Sequence, residues 1–64
     1  MFIWLTGPDS KQVLVNYNLV TVVICGQGGN AVYFDGCDDH VMVTESLEDI
    51  YERIQSAEKR YRKL

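Results

Sequence analysis

At 64 residues the chain has room for one domain and one thin core, and at 47% hydrophobic and 23% charged, with a single proline, its composition is that of a folded protein. No apolar stretch approaches the ~20 residues of a membrane span, and the opening Met1 to Leu5 lacks the basic leader of a signal peptide. The net charge of −3 divides into an acidic body and a basic tail, Lys59, Arg60, Arg62 and Lys63, which argues against a general nucleic-acid binder with its broad basic face.

In chain order, Phe2-Ile3-Trp4-Leu5 reads as a first strand, ended by the turn signal Thr6-Gly7-Pro8-Asp9-Ser10. Gln12 to Tyr17 is the second strand. Asn16 and Asn18 around Tyr17 predict a tight bend or bulge, and the β-branched run Leu19 to Cys25 is the third strand. Gly26-Gln27-Gly28-Gly29-Asn30 follows. A glycine-rich loop cradles phosphate when it leads from a strand into a helix. Here it leads into Ala31-Val32-Tyr33-Phe34, another strand, so a hairpin turn is favoured. Asp35 to Asp39 makes the next turn and His40 to Thr44 the fifth strand. Connections this short make an antiparallel meander the default. Cys25 and Cys37 fall near opposite ends of a hairpin, too far apart for a bridge, and are read as reduced thiols of a cytoplasmic protein.

The helix carries the strongest signal. Ser46 followed by Asp49 resembles a capping box. Acids (Glu45, Glu48, Asp49, Glu52) crowd its start and bases its end, as the helix dipole favours. Asp49/Arg53 and Glu58/Arg62 are spaced as i,i+4 pairs. Leu47, Ile50, Ile54, Ala57, Tyr61 and Leu64 form an unbroken apolar stripe, widened by Tyr51. The expected fold is thus one α+β domain over residues 1–64: an antiparallel β-meander of about five short strands over 1–44, then one C-terminal amphipathic helix over 45–64.

A domain this small needs a staple, since apolar burial at roughly 25 cal/mol per Å² barely offsets ordering entropy. Strand alternation places Ile3 and Leu5 on one face and Phe2 and Trp4 on the other, with Val23, Tyr33 and Met42 joining the second face. One helix covers one face only, and the other is apolar. The helix, some 27 Å long for ~18 residues, also outruns strands of about 17–20 Å. Its stripe either covers the sheet alone or lets its far end meet another subunit. The expectation is a homo-oligomer with Phe2, Trp4, Tyr33, Met42, Ile54, Ala57, Tyr61 and Leu64 at its interface.

Asp35-Gly36-Cys37-Asp38-Asp39-His40 gathers carboxylates, a thiol and an imidazole. Neighbours on a turn diverge and no second ligand cluster exists, so a polar turn is favoured over a metal site. A Cys37/His40 nucleophile pair lacks an orienting group and an oxyanion hole. No enzyme activity, catalytic residue, metal or cofactor is expected. Binding is the stronger reading: Trp4, Tyr17 and Tyr33 from one chain facing Arg53, Lys59 and Arg60 from another would hold an anionic, nucleotide-like ligand by stacking and charge. The competing reading of those cations is a solvated helix end.

Phe2-Ile3-Trp4-Leu5-Thr6, Lys11-Gln12-Val13-Leu14-Val15-Asn16 and Val43-Thr44-Glu45-Ser46-Leu47-Glu48-Asp49-Ile50 together resemble the small flagellar FlbD-like proteins. That family shares an Ile-x-Leu-Thr start, a hydrophobic strand ending in Asn, and a Val-x-Glu-Ser step into a basic-tailed helix. Cys25 to Asn30 and Gly36 to His40 depart from its simpler Asn-Gly hairpin. The resemblance implies a motility-linked accessory without catalytic activity; similar small proteins occur on phages. Two functions follow as expectations. The first is a non-catalytic, self-associating adaptor or regulator that binds a partner protein. The alternative is a phage-type anti-defence protein that sequesters a small anionic signalling ligand between subunits. Neither involves a membrane or nucleic acid.

Overall fold

The computed structural model describes residues 1–62. Its elements are β1 (Phe2–Thr6), β2 (Gln12–Asn16), a 3-10 turn (Tyr17–Leu19), β3 (Val20–Gly26), β4 (Gly29–Phe34), β5 (His40–Val43) and α1 (Leu47–Arg62). This is the α+β order that the sequence predicts: five short antiparallel strands, then a helix.

The strands divide into two sheets, β1–β2 and β3–β4–β5. The break falls at the two asparagines. The Asn16 side-chain oxygen accepts the Asn18 N–H at 3.1 Å, an alternative to the sheet ladder that curls the chain into the 3-10 turn. On the opposite side the sheets meet. Thr44 N–H donates to the Thr6 carbonyl at 2.8 Å, and the Thr44 hydroxyl donates to the same oxygen at 3.3 Å.

Inside lies one cluster: Ile3, Leu5, Val15, Tyr17, Val32, Val43, Ile50 and Ala57. Alternation along β1 buries Ile3 and Leu5 and exposes Phe2 and Trp4, as period-two patterning requires. On β3 the alternation is interrupted. Register against β4 shifts between Val20 and Val22, as at a β-bulge. Val20 and Val23, three apart, therefore both pack against the core, while Val22 and Ile24 face out. This corrects the expectation that Val23 lies on the outer face.

The glycine-rich segment is a hairpin. Gly26 pairs with Gly29, leaving only Gln27 and Gly28 in the loop. Gly28 (φ +79°) and Gly29 (φ +142°) take backbone angles that suit glycine. A Cβ on Gly29 would lie 2.6 Å from the Val43 carbonyl oxygen, so β4 and β5 approach here only because it is absent.

The helix begins where the cap signal falls. Ser46 Oγ accepts the Asp49 N–H at 3.1 Å. Asp49 and Arg53 pair at 3.5 Å; among the described residues Glu58 and Arg62 form no such bridge. Ile50 and Ala57 are buried and Ile54 is partly buried against the core. Ala57 is fully covered within the chain. That corrects its assignment to a subunit interface: with a second sheet and Tyr17 in the same cluster, the far half of the helix also has a floor. Ile54 is likewise chiefly a core contact. Leu64 lies outside the described residues.

Candidate functional site

The outward side chains of β1 define the site. Trp4 stands opposite Leu14 across the β1–β2 ladder, so both project from the outer face as a cross-strand pair. Phe2 lies two residues before Trp4 on the same face. Tyr61 and Arg60, from the last turn of α1, complete an open groove of about 550 Å³ lined by Phe2, Trp4, Leu14, Arg60 and Tyr61. A second cleft of about 360 Å³ continues along the helix, where Asp49, Arg53 and Ser56 face Phe2 and Trp4. Trp4 is 55% exposed and Leu14 50%, large values for residues of their size in a folded chain.

Beneath the groove a polar clasp fixes β1 to the helix. Arg53 Nη1 donates to the Trp4 carbonyl at 2.7 Å and lies 3.3 Å from Glu45 Oε2. Glu45 Oε1 accepts the Thr6 N–H at 2.9 Å, and the Glu45 carbonyl accepts Asn30 Nδ2 at 2.6 Å. Burial pushes the Glu45 carboxyl upward. The hydrogen bond from Thr6, with the Arg53 guanidinium, outweighs it and leaves the group below the ordinary glutamate value.

Of the expected interface residues, Phe2, Trp4 and Tyr61 come together at this groove. Tyr33 and Met42 lie elsewhere, on the outer face of β3–β4–β5, where Tyr33 packs its ring 5.1 Å from the His40 ring. Of the expected ligand-binding residues, Trp4, Arg53 and Arg60 line one cleft. Tyr17 does not join them: it is 7% exposed, and burial pushes its phenol upward, so its ring belongs to the core. Arg53 is committed to Glu45, Asp49 and the Trp4 carbonyl, which leaves Arg60 as the groove's cation. Lys59 is exposed but lines neither cleft.

Two participants escaped the sequence. Leu14 was readable, since it alternates with Val13 and Val15 opposite a strand that carries Trp4. Glu45 was not, because a glutamate before a helix normally signals only dipole complementarity. Among the described residues no three His, Cys, Asp or Glu side chains gather as a metal site. Cys25 and Cys37 are free and exposed, and no helix is long and apolar enough to cross a membrane.

Fold and groove together define a small α+β domain with an aromatic surface groove flanked by one cation. No family model, curated protein or solved structure matches the chain.

Proposed function

We propose that the chain is a non-catalytic, homo-oligomeric binding module that docks a partner protein on the groove of Phe2, Trp4, Leu14 and Tyr61, as a cytoplasmic FlbD-like accessory would. One observation carries this reading. The alternation that sinks Ile3 and Leu5 into the core turns two aromatic rings outward beside a half-exposed leucine. Aromatic anchors of this kind, rimmed by an arginine, are the side chains enriched at interface centres.

Trp4 is the sole tryptophan and reports on the site directly. Affinity capture on the wild-type chain is expected to recover a stoichiometric protein partner that Trp4→Ala loses. Adding that purified partner should shift Trp4 emission to the blue. Capture undiminished by Trp4→Ala would overturn the reading.

Arg60 beside Trp4 favours a second reading, in which subunits sequester a small anionic, nucleotide-like ligand by stacking on Trp4 and charge from Arg60. This is the phage-type alternative. Calorimetry against a nucleotide panel, with Arg60→Ala as control, tests it; flat isotherms end it.

A further inference from the structure

Strand β3 is an edge. It pairs with β4 on one side, and among the described residues no other strand or turn hydrogen-bonds to Val20–Gly26, apart from the Val20 N–H, which donates to the Tyr17 carbonyl and closes the 3-10 turn at the strand's first residue. A seven-residue edge of sequence Val-Thr-Val-Val-Ile-Cys-Gly is long, β-branched and free of the lysines and prolines with which monomers blunt such edges. Its surroundings are as bare. No Asp, Glu, Lys, Arg or His occurs anywhere from Gln12 to Phe34, although the chain is 23% charged. Of the other sheet edges, β2 is shorter and abuts Lys11, and β5 has only four residues, opens on His40 and follows the acidic turn Asp35–Asp39.

We infer that β3 is a self-association edge, pairing antiparallel with β3 of a second copy about a two-fold axis at Val23 to make one continuous six-stranded sheet. The inference rests on the self-associating part of the proposed function and specifies where it occurs. Three features select a second copy as occupant.

The first is register. With Val23 opposite itself, Val22 of each copy faces Ile24 of the other, and these are the two large apolar side chains of the edge that stand half-exposed, at 46% and 51%. Within one chain Val22 pairs with Tyr33 and Tyr33 with His40, while Ile24 pairs with Ala31 and Ala31 with Met42. Joining Val22 to Ile24 therefore links these rows into two unbroken cross-strand ladders, which is the stabilising unit of a sheet. The second feature is the opposite face. Val23, partly buried against the core, meets its own copy there and extends the interior of both chains.

Charge is the third feature. Each chain is net negative, and its acidic turn Asp35–Asp39 lies at the Val20 end of the sheet, since Val20 pairs with Phe34. Antiparallel pairing sends the two turns to opposite ends. Parallel pairing would set them side by side, where like charges repel.

The area involved is at the small end for a specific interface, so association should depend on concentration. Light scattering on the wild-type chain is expected to approach twice the 7.3 kDa chain mass as concentration rises. Ile24→Lys should return it to the single-chain mass and melt like the wild-type chain at high dilution, because residue 24 is exposed in the monomer and only the stabilisation from association is lost. Register is tested in a Cys25→Ser/Cys37→Ser background. Mixing Val22→Cys chains with Ile24→Cys chains should give more disulfide-linked dimer than either variant oxidised alone. A wild-type mass that stays at one chain overturns the proposal, as does an Ile24→Lys variant that remains dimeric or a mixture that cross-links no better than its components. Trp4→Ala separates this proposal from the groove reading: it should abolish partner capture and leave the dimer mass intact. A dimer that Trp4→Ala dissolves and Ile24→Lys does not would place the contact in the groove instead.

Discussion

Glu45 is the buried carboxylate of the described structure, its side chain only 6% exposed, and it touches three elements at once. Its partners are the Thr6 N–H on β1 and Arg53 on α1, while its carbonyl holds Asn30 of β4. Glu45→Gln keeps an acceptor for Thr6 and loses the ionic attraction. Arg53 is 41% exposed and screened by solvent, so this loss should be about 1 kcal/mol. Glu45→Ala also leaves the Thr6 N–H without its partner and should cost about 2–3 kcal/mol in denaturant unfolding. The pH dependence has a definite sign. Because the folded carboxyl titrates below its unfolded value, the folded state binds fewer protons there. Its contribution is complete above the unfolded value and disappears as pH falls through the folded one. Thermal melts should drop on acidification through that window, and Glu45→Gln should flatten the drop. A wild-type melt equally acid-sensitive in the variant would show that the clasp is not its source.

At the scale of elements, two local devices position the helix and the second sheet. Ser46 caps α1 through its hydroxyl, and Ser46→Ala should destabilise the fold by about 1 kcal/mol, read from the denaturant midpoint at constant slope. Gly29 allows β4 to pass the Val43 carbonyl at a distance that no Cβ tolerates. Gly29→Ala should therefore be far more damaging than Gly28→Ala. Gly28 has open space around it and pays chiefly for its positive φ. The difference between the two melting temperatures reads the Val43 clash together with the less accessible backbone angle at Gly29. Strand β1 offers a second contrast. Leu5→Ala, at 1% exposure, should cost about 2–5 kcal/mol, whereas Trp4→Ala, on the outer face, should change stability by less than about 1 kcal/mol. Such a split would separate the residue that folds the strand from the residue that gives it a surface.

Across the whole molecule, one helix and two small sheets share a single core; Leu47 and Tyr51 stand exposed on the first turns of α1, and two other groups of outward apolar residues bear on binding. Phe2, Trp4, Leu14 and Tyr61 gather at the groove; Val22 and Ile24 lie at the β3 edge with Tyr33 and Met42 beside them. The groove presents aromatic side chains and a cation, and the edge presents unpaired backbone, so they suit different partners. Combining Trp4→Ala with Ile24→Lys should yield a folded monomer that captures nothing, with the two effects additive because the sites share no residue.

Much of this architecture was legible from residue patterns. Alternation in β1, the β-branched run of β3 and the stripe and cap of α1 are local signals, set by backbone sterics and by which side chains avoid water. Element order and the outward pair Phe2 and Trp4 follow from them. Three outcomes depended on contacts between residues distant in the chain. The extra residue near Thr21 brings Val23 inward, because register is settled against β4 and not within β3. Ala57 and Tyr17 are core because two sheets meet under one helix, which no single segment's periodicity encodes. Arg53 is held at Glu45 and the Trp4 carbonyl, partners eight and forty-nine positions away, so whether that cation is available to a ligand is decided only once the chain has closed.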